Sequence, residues 1–394
     1  MDQVRNPFAP GAGAPPPELV GRTEVLGSVG TLLARVRQGH PEKSILLTGL
    51  RGVGKTVILN RARQKAEDEG FRTVYVESPE DSTLVRILAP QLRTLLFELD
   101  RSAGIGAMAR RALAVLKAFA SAFRVRYGGV ELALDFEPET GVADSGDLES
   151  DLPQLFTVVA EAAEERDRGV ALLIDEMQYL SEPELRAVIM AMHRLQQAQK
   201  RFVLVGAGLP SLTGLSGRAR SYAERLFSFP VIGALPRHES DQAIGEPVRS
   251  AGAEVEDDAL TEIFRLTHGY PYFLQEWGYH SWNRASHPSI TVGDVSGATE
   301  VVVRRLDEGF FRVRYDRLTP SERRYLRAMA DLGPGPHRTG DVANRLHIRV
   351  TSLGPTRATL INKGMIYSPE HGKLAFTVPL FDEFMQRVIP EFPS

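Results

Sequence analysis

The sequence predicts an α/β fold: a parallel sheet with helices on both faces, followed by a helical segment and a small C-terminal domain. Up to about residue 235, short apolar runs alternate with longer amphipathic stretches, a pattern typical of parallel strands that are buried on both faces. Only helical patterns occur from 236 to about 313, and from 314 onward three helices precede two short strands. A chain of 394 residues is long enough for two or three domains.

The predicted elements begin with an extended arm, residues 1–20, rich in Pro, Gly and Ala and containing Pro15, Pro16 and Pro17. Periodic apolar residues predict a helix at 22–38. The predicted strands are the apolar runs at 44–48, 71–77, 169–174, 201–205 and, more weakly, 227–232. An insertion after the second strand is predicted to hold helices at 83–99 and 107–122, a hairpin at 123–127 and 130–136 turning at Gly128-Gly129, a flexible acidic loop at 137–150 and a helix at 151–168.

The composition excludes several kinds of site. The chain has no cysteine, so disulfides, zinc–thiolate sites and a cysteine nucleophile are excluded. Its nine histidines lack the close spacing of metal ligands. The formal net charge of -3 gives the whole molecule no strong attraction to nucleic acid. Since no apolar run of about 18 residues occurs, we expect a cytoplasmic protein with no membrane partner.

A glycine-rich turn after the first predicted strand matches the phosphate-loop pattern G-x-x-x-x-G-K-[ST]. Its glycines let backbone N–H groups surround phosphates, and the helix that follows directs its positive end at the same anion. Lys55 is predicted to reach the β- and γ-phosphates of ATP, and the Thr56 hydroxyl to ligate Mg²⁺. A chance glycine turn is the alternative, which the preceding strand and following helix disfavour. The predicted nucleotide-binding residues are Gly49, Leu50, Arg51, Gly52, Val53, Gly54, Lys55, Thr56 and Val57.

An acidic pair ends the third predicted strand, about 120 residues after the phosphate loop, in LLIDE at 172–176. Asp175 is predicted to hold the Mg²⁺ shell through water, and Glu176 to polarise the water that attacks the phosphate. The alternative is that the two residues only form the solvent-exposed end of a strand, as any single Asp-Glu pair could. The combination with the phosphate loop predicts ATP hydrolysis.

Six segments resemble the AAA+ and STAND branch of P-loop ATPases, most closely archaeal-type ATPases related to origin-recognition proteins. They are LVGR at 19–22, the phosphate loop, LLIDEMQYL at 172–180, GAGLPSL at 206–212, SYAERLF at 221–227 and HGYPYFLQ at 268–275. The resemblance implies a P-loop NTPase core at 21–235, a helical lid at 236–313 and a winged helix-turn-helix domain at 314–394, with ATP between core and lid.

The same resemblance implies further nucleotide-binding residues. Val20, Gly21 and Arg22 match a segment that lies near the adenine and ribose, although Arg22 could equally be a surface charge at a helix start. Pro271 would sit near the nucleotide; the alternative is that Gly-Tyr-Pro only breaks a helix.

A second set of residues bears on turnover. Arg225 matches the arginine that reaches a neighbouring subunit's γ-phosphate, with Arg218 and Arg220 as lesser candidates and a surface salt bridge as the alternative. Gln178 and Tyr179 follow the acidic strand as in relatives, and we expect them to cap or pack rather than to catalyse. The fourth strand ends in glycine and alanine at 206–208, not in an obvious polar sensor residue, which suggests slow turnover and switch behaviour.

The C-terminal part is predicted to contain helices at 318–331, 339–346 and 352–363, the last two capped by Thr339 and Ser352, and a hairpin at 365–368 and 373–378 turning at His371-Gly372. This order resembles a winged helix. Residues 312–394 hold 13 Lys and Arg against 8 Asp and Glu, which favours a phosphate-binding face. The candidates on that face are Arg349, Thr356, Arg357, Lys363 and Lys373.

The sequence thus predicts an ATP- and Mg²⁺-binding, slowly hydrolysing switch whose ATP or ADP state controls double-stranded DNA binding by the winged helix. A STAND-type scaffold, whose winged helix contacts protein, is the main alternative, and an ATP binder with negligible hydrolysis is a third. Whether the chain forms a homo-oligomer stays open.

Overall fold

The computed structural model describes most of the chain, namely residues 1–11, 19–78, 82–101, 106–124, 126–127, 130–131, 137–219, 223–370 and 372–391. Contacts divide the chain into two compact units. The first unit comprises Met1–Gly21, Leu50–Gly54 and Gly233–Ser394, and the second comprises Arg22–Gly49 and Lys55–Ile232. The predicted domain borders near 20, 235 and 313 stay predictions. None of the helices in the described ranges is long and apolar enough to cross a membrane.

The second unit contains both strands and helices along its length. In chain order these are α1 (Thr23–Arg37), β1 (Ser44–Gly49), α2 (Lys55–Asp68), β2 (Phe71–Glu77), α3 (Leu84–Arg101), α4 (Ala107–Ala122), β3 (Arg126–Tyr127), β4 (Val130–Glu131), α5 (Leu148–Glu164), β5 (Gly169–Asp175), α6 (Glu182–Gln197), β6 (Phe202–Gly208), α7 (Ser211–Ala219), α8 (Ala223–Leu226), β7 (Phe227–Ser228) and β8 (Val231–Ile232).

A parallel sheet forms the centre of this unit, and within the described residues it has six strands in the order β2-β5-β6-β1-β7, with β8 also paired to β1. Every residue of β1, β5 and β6 is buried, which explains their continuous apolar sequences. The predicted strand at 227–232 is two short strands instead of one. Pro230 lies between them and has no N–H to donate to a ladder.

Helices pack on this sheet with aromatic contacts in the core, as between Phe156 of α5 and Phe202 of β6, whose ring centroids are 5.0 Å apart. The predicted helices of the insertion are present as α3 and α4. The hairpin is limited to the antiparallel pair β3–β4, and the predicted turn at Gly128-Gly129 and residues 132–136 lie outside the described residues.

The acidic stretch predicted to be a flexible loop at 137–150 is anchored to the core. Leu148 already begins α5, and the Ala143 side chain is buried. Asp151 is fully buried, and its carboxylate accepts hydrogen bonds from the backbone N–H of Ser145 (3.3 Å) and Gly146 (2.9 Å) and from the Ser145 hydroxyl (2.8 Å). The loop prediction is confirmed for 137–147, but α5 begins three residues earlier than predicted. Turn-forming composition did not reveal the buried Asp151 carboxylate that anchors the turn.

The first unit contains the arm, the helices that follow residue 236 and the C-terminal elements. In chain order they are a 3-10 turn (Gln3–Arg5), α9 (Arg237–Ser250), β9 (Glu254–Val255), α10 (Asp257–Thr267), α11 (Pro271–Arg284), β10 (Ser289–Ile290), α12 (Val292–Arg305), a π-helical turn (Leu306–Phe311), α13 (Arg312–Tyr315), α14 (Pro320–Asp331), β11 (His337–Arg338), α15 (Thr339–Leu346), α16 (Gly354–Asn362), β12 (Ile366–Tyr367), β13 (Lys373–Phe376) and α17 (Phe381–Val388).

Two features of this unit differ from the sequence prediction or add to it. Strands β9 and β10 pair in parallel where only helices were expected, because two residues of extended backbone carry too little periodicity to detect. Residues 1–11 of the arm pack on α11: Phe8 is buried against Gly278, and Asn6 Nδ2 donates to the Tyr279 carbonyl (3.0 Å). The predicted proline run at 15–17 lies outside the described residues.

The C-terminal elements contain a three-stranded sheet, β11-β13-β12, which is antiparallel. The helices lie where predicted, but both N-caps were assigned wrongly. Arg338, not Thr339, is the N-cap of α15, and Ser352 lies inside a 3-10 turn (Val350–Leu353) that precedes α16. A hydroxyl residue near the start of a helix does not show at which residue the helical conformation begins. Both caps were therefore misplaced. Residue 371, in the predicted hairpin turn, is outside the described residues.

Replacing Asp151 with alanine should destabilise the protein, because the donors on Ser145 and Gly146 lose their buried acceptor. We expect the free energy of unfolding to fall by about 2–4 kcal/mol, as measured by urea denaturation. The control is Asp68→Ala at the exposed end of α2, which should change stability by no more than about 0.5 kcal/mol. An Asp151→Ala protein as stable as that control would show that the acidic stretch does not depend on this anchor.

Candidate nucleotide-binding site

The predicted phosphate loop joins the end of β1 to the start of α2. Gly52 and Gly54 have φ angles of +81° and +92°, a left-handed backbone that glycine adopts without strain. Lys55 is buried, and its Nζ donates to the Gly49 carbonyl at 2.9 Å. The lysine side chain therefore folds back across the loop that it ends, which is where a phosphate-binding cation is needed.

Asp175 and Thr56, the two predicted metal-binding residues, are in direct contact. Asp175 Oδ2 accepts a hydrogen bond from Thr56 Oγ1 at 2.6 Å and one from the Tyr75 hydroxyl at 3.3 Å. Its Oδ1 accepts from the Glu176 N–H at 2.8 Å. The sheet makes this possible, because Asp175 ends β5 and Thr56 lies in the first turn of α2, 119 positions earlier.

Negative charge is concentrated at this edge of the sheet. Asp175 is 3% exposed, and burial, with the nearby Glu176 carboxylate, raises its pKa although the Thr56 hydrogen bond opposes the rise. Glu77 pairs with Asp175 across β2 and β5, and its pKa is raised by burial and by the charges of Asp175 and Glu176. Burial and the Asp175 carboxylate raise the pKa of Tyr75 as well, so this residue stays a neutral hydrogen-bond donor.

These donors fit a Mg²⁺ ion. Mg²⁺ prefers hard oxygen ligands, binds through one or two carboxylates and keeps several waters. Thr56 and Asp175 supply a hydroxyl and a carboxylate that already face each other, and a divalent cation would offset the repulsion among the neighbouring carboxylates. Thr56 and Asp175 would hold the ion.

Glu176 is held by a neighbour that the sequence analysis had assigned to capping or packing. The Glu176 backbone is left-handed (φ 53°, ψ 39°), a conformation uncommon outside glycine and often found at functional sites. Gln178 Nε2 donates to Glu176 Oε2, and Gln178 Oε1 accepts from the Leu209 N–H at 3.0 Å. Tyr75 was missed entirely, since a tyrosine in an apolar strand gives no sign of which carboxylate it meets.

The tip of the phosphate loop, Leu50–Gly54, belongs to the first unit and contacts the segment that begins α11. The Tyr272 N–H donates to the Gly52 carbonyl at 3.2 Å. A Cβ at Gly52 would lie 3.1 Å from the Tyr270 ring and 3.2 Å from Tyr272 Cβ, so a larger residue would crowd both tyrosines. Pro271, between them, is the first residue of α11.

The predicted adenine-side residues are described separately, because Val20 and Gly21 fall in the first unit and Arg22 in the second. Gly21 has a φ of +71°, a backbone conformation that favours glycine, and a Cβ there would require the Glu239 and Leu235 side chains to move. Arg22 is 8% exposed at the N-cap of α1, which is not the exposed surface charge offered as its alternative. Adenine binding by the three residues stays a prediction.

Arg225 lies near the start of β1, at the opposite end of that strand from Gly49. Arg225 is exposed on α8, directly before β7, and Phe227 of β7 pairs with Ser44 at the start of β1. Gly49 is the last residue of β1, and the rise per residue of an extended strand places it about 16 Å from Ser44. A role toward a neighbouring subunit's nucleotide stays a prediction, and the side chains of Arg218 and Arg220 lie outside the described residues.

Comparisons with known proteins bear on the whole chain. Residues 18–205 match a family model described as an AAA ATPase domain, and residues 308–385 match one described as a domain of unknown function. A Walker-type ATPase of Pyrococcus abyssi is similar in structure over 93% of this chain and 96% of its own, with 17% identity and a TM-score of 0.58. This likeness shows the P-loop NTPase fold.

Two further structures give lower scores. The RuvB Holliday junction branch migration motor of Thermotoga maritima is 16% identical over 95% of this chain and 97% of its own, with a TM-score of 0.45. The ORC1 protein of Aeropyrum pernix, solved in complex with DNA, is 15% identical over 94% of this chain and 93% of its own, also at 0.45. A search of curated proteins found no match.

Asp175→Asn should stabilise the nucleotide-free protein at neutral pH because it removes a buried charge. The amide oxygen can still accept from the Glu176 N–H, and the amide NH2 can donate to the Thr56 hydroxyl. The raised pKa of Asp175 means that the folded state binds its proton more tightly than the unfolded state. Stability is therefore lost as pH rises through the folded pKa, and the full cost is present above it. We expect a gain on the order of 1 kcal/mol in the free energy of unfolding at pH 7, from urea titrations.

The advantage of Asp175→Asn should shrink as the pH falls toward 3.8, the ordinary value for aspartate, because both side chains are then neutral. Asp68→Asn, on the exposed end of α2, is the matched control and should show no such pH dependence. A wild-type protein that is at least as stable as Asp175→Asn throughout this range would contradict the buried-charge interpretation.

Proposed function

We propose that this chain binds ATP with Mg²⁺ and hydrolyses it slowly, as a nucleotide-dependent switch. The observation that carries the proposal is the 2.6 Å hydrogen bond between Thr56 and Asp175, which joins the phosphate loop to the acidic strand. The match of residues 18–205 to an AAA ATPase domain supports it.

In the proposed mechanism the backbone N–H groups of the loop and the start of α2 bind the phosphates. Lys55 pairs with the β- and γ-phosphates, while Thr56 and Asp175 hold Mg²⁺, which neutralises charge on the phosphate oxygens when bound. Glu176 orients a water molecule toward the γ-phosphorus. Its carboxylate accepts the proton as the bond to ADP breaks, and the products are ADP and inorganic phosphate.

A chain of aromatic contacts inside the first unit supports coupling between nucleotide and C-terminal elements. The Tyr272 ring stacks on Phe310, with centroids 4.6 Å apart. The neighbouring Phe311 packs 5.2 Å from Phe384 of α17, and Asp307 of the same π-helical turn pairs with Arg387 at 2.6 Å. Since residues of the loop tip would wrap phosphate and also contact Tyr272, we propose that nucleotide binding shifts this path and with it the C-terminal elements.

We propose that the C-terminal elements, in the order α14-β11-α15-α16-β12-β13, act as a winged helix and bind double-stranded DNA. Of the predicted contact residues, Arg349 is exposed before α16 and Arg357 lies partly exposed on it. Lys363 and Lys373 are already paired at 2.8 Å, with Glu322 and Glu370, which reduces the charge they offer to phosphate. The proposal therefore rests mainly on the two arginines.

One observation favours the alternative in which these elements bind protein. Ile348 and Val350, on the turn that leads into α16, are 45% and 51% exposed. Exposed apolar side chains beside α16 suit contact with a protein surface better than contact with a phosphate backbone.

Glu176→Gln should bind ATP about as well as wild type but hydrolyse it at least about 100-fold more slowly, because the amide cannot accept the proton from water. Binding is measured by isothermal titration and turnover by phosphate release. Glu182→Gln, on the exposed start of α6, is the control and should keep wild-type turnover. Equal turnover in Glu176→Gln and wild type would show that Glu176 is not the base.

Binding to duplex DNA should be salt-dependent and should differ among ATP, ADP and no nucleotide, because the C-terminal elements follow the nucleotide state. Fluorescence anisotropy across a salt series measures it. The double variant Arg349→Ala/Arg357→Ala should lower the slope of log affinity against log salt by about 2, whereas exposed Arg265→Ala on α10 should not. Phe310→Ala should retain DNA binding but lose its dependence on nucleotide.

Two outcomes would contradict this proposal. Nucleotide-dependent self-assembly without DNA affinity would favour the protein-binding alternative. DNA binding that is identical in all three nucleotide states would remove the switch.

A further inference from the structure

The strand that neighbours both β1 and β5 contributes no polar side chain at its carboxyl end. Strand β6 ends in Val205, Gly206, Ala207 and Gly208, and all four are buried. A Cβ at Gly206 would overlap the sulfur of Met177 and lie 2.7 Å from Leu46 Cδ2. The missing side chains leave space that residues following the acidic strand fill.

Gln178 enters this space beside Gly208. A Cβ at Gly208 would lie 3.0 Å from Gln178 Oε1 and 2.9 Å from Leu212 Cδ2. The amide oxygen of Gln178 accepts from the Leu209 N–H at 3.0 Å, at the first residue after β6. The glycine and the backbone that follows it thus fix the position of the amide group.

The orientation of this amide follows from its partners. A backbone N–H can only donate, so the Gln178 atom facing Leu209 must be the oxygen. The amide nitrogen then faces Glu176, whose carboxylate accepts its hydrogen bond at Oε2. A donor directed at an ionised carboxylate is the favourable arrangement.

We propose that Gln178 is a positioning residue for ATP hydrolysis: it links the Glu176 carboxylate to the end of β6 and holds it in the orientation that activates water. This inference rests on the proposed function, because it assumes that Glu176 is the base. Gln178 would thereby replace a polar side chain on β6 itself. The left-handed backbone of Glu176 and the hydrogen bond from its N–H to Asp175 fix the main chain, and Gln178 fixes the side chain.

Two substitutions of Gln178 separate positioning from packing. Gln178→Ala removes the donor and the link to Leu209. Gln178→Glu preserves size and the acceptor for the Leu209 N–H, but it places a second carboxylate against Glu176. The two carboxylates repel each other, so Glu176 loses the orientation that the amide donor gave it. Gln197→Ala, exposed on α6, is the matched control.

The experiment uses the full chain and measures kcat and KM for ATP across pH, with ATP affinity measured separately by titration calorimetry. For Gln178→Ala we expect kcat to fall by about 10- to 100-fold, the range seen when a supporting hydrogen bond is removed, with KM and ATP affinity changed by no more than about 3-fold. For Gln178→Glu we expect a fall in kcat at least as large, again with KM and ATP affinity changed by no more than about 3-fold. A general loss of structure would change KM and ATP affinity together with kcat, whereas a loss of positioning lowers kcat alone, and Gln197→Ala should match wild type.

Three outcomes would overturn the inference: wild-type kcat in Gln178→Ala, a rise in its kcat, or wild-type kcat in Gln178→Glu. The Glu176→Gln variant distinguishes this failure from that of the proposed function. If Glu176→Gln loses turnover while both Gln178 variants behave as wild type, only the positioning role is wrong. If Glu176→Gln keeps turnover, the assignment of the base fails first. The double variant Glu176→Gln/Gln178→Ala should be no slower than Glu176→Gln alone, because Gln178 acts through Glu176.

Discussion

A carboxylate buried at the end of a parallel strand is the constraint on which the rest of the site depends. Asp175 is removed from water, and the three donors around it, from Thr56, Tyr75 and its neighbour's backbone, compensate only in part, since its pKa stays raised. A structure selected for stability alone would place an amide or an apolar residue there. The retained charge supports our proposal that the site binds a cation.

The parts of the fold that could be predicted from sequence are those whose signal is local. Strands β1, β5 and β6 are buried on both faces, so their apolar runs were recognisable residue by residue. The phosphate loop could be found because its glycines and lysine must be contiguous to surround an anion. Asp175 was found because it directly follows such a run.

What could not be predicted depends on partners that are distant in the chain. Asp151 anchors a turn through burial, and Tyr75 meets Asp175 only because β2 and β5 are adjacent. The role proposed for Gln178 depends on the lack of polar side chains at the end of β6, 30 positions later in the chain. The glutamine itself gives no sign of that lack. Such relations require the sheet order, which periodicity does not supply.

The π-helical turn at Leu306–Phe311 sets a limit on how this chain can diverge. Such a turn holds one residue more than an α-helical turn, and each residue rotates a helix by about 100°. Losing or gaining a single position here would swing Phe310 and Phe311 to another face and separate them from Tyr272 and Phe384. This turn should therefore tolerate substitutions better than insertions or deletions. In a sequence alignment, a gap within it would pair residues whose side chains have different surroundings.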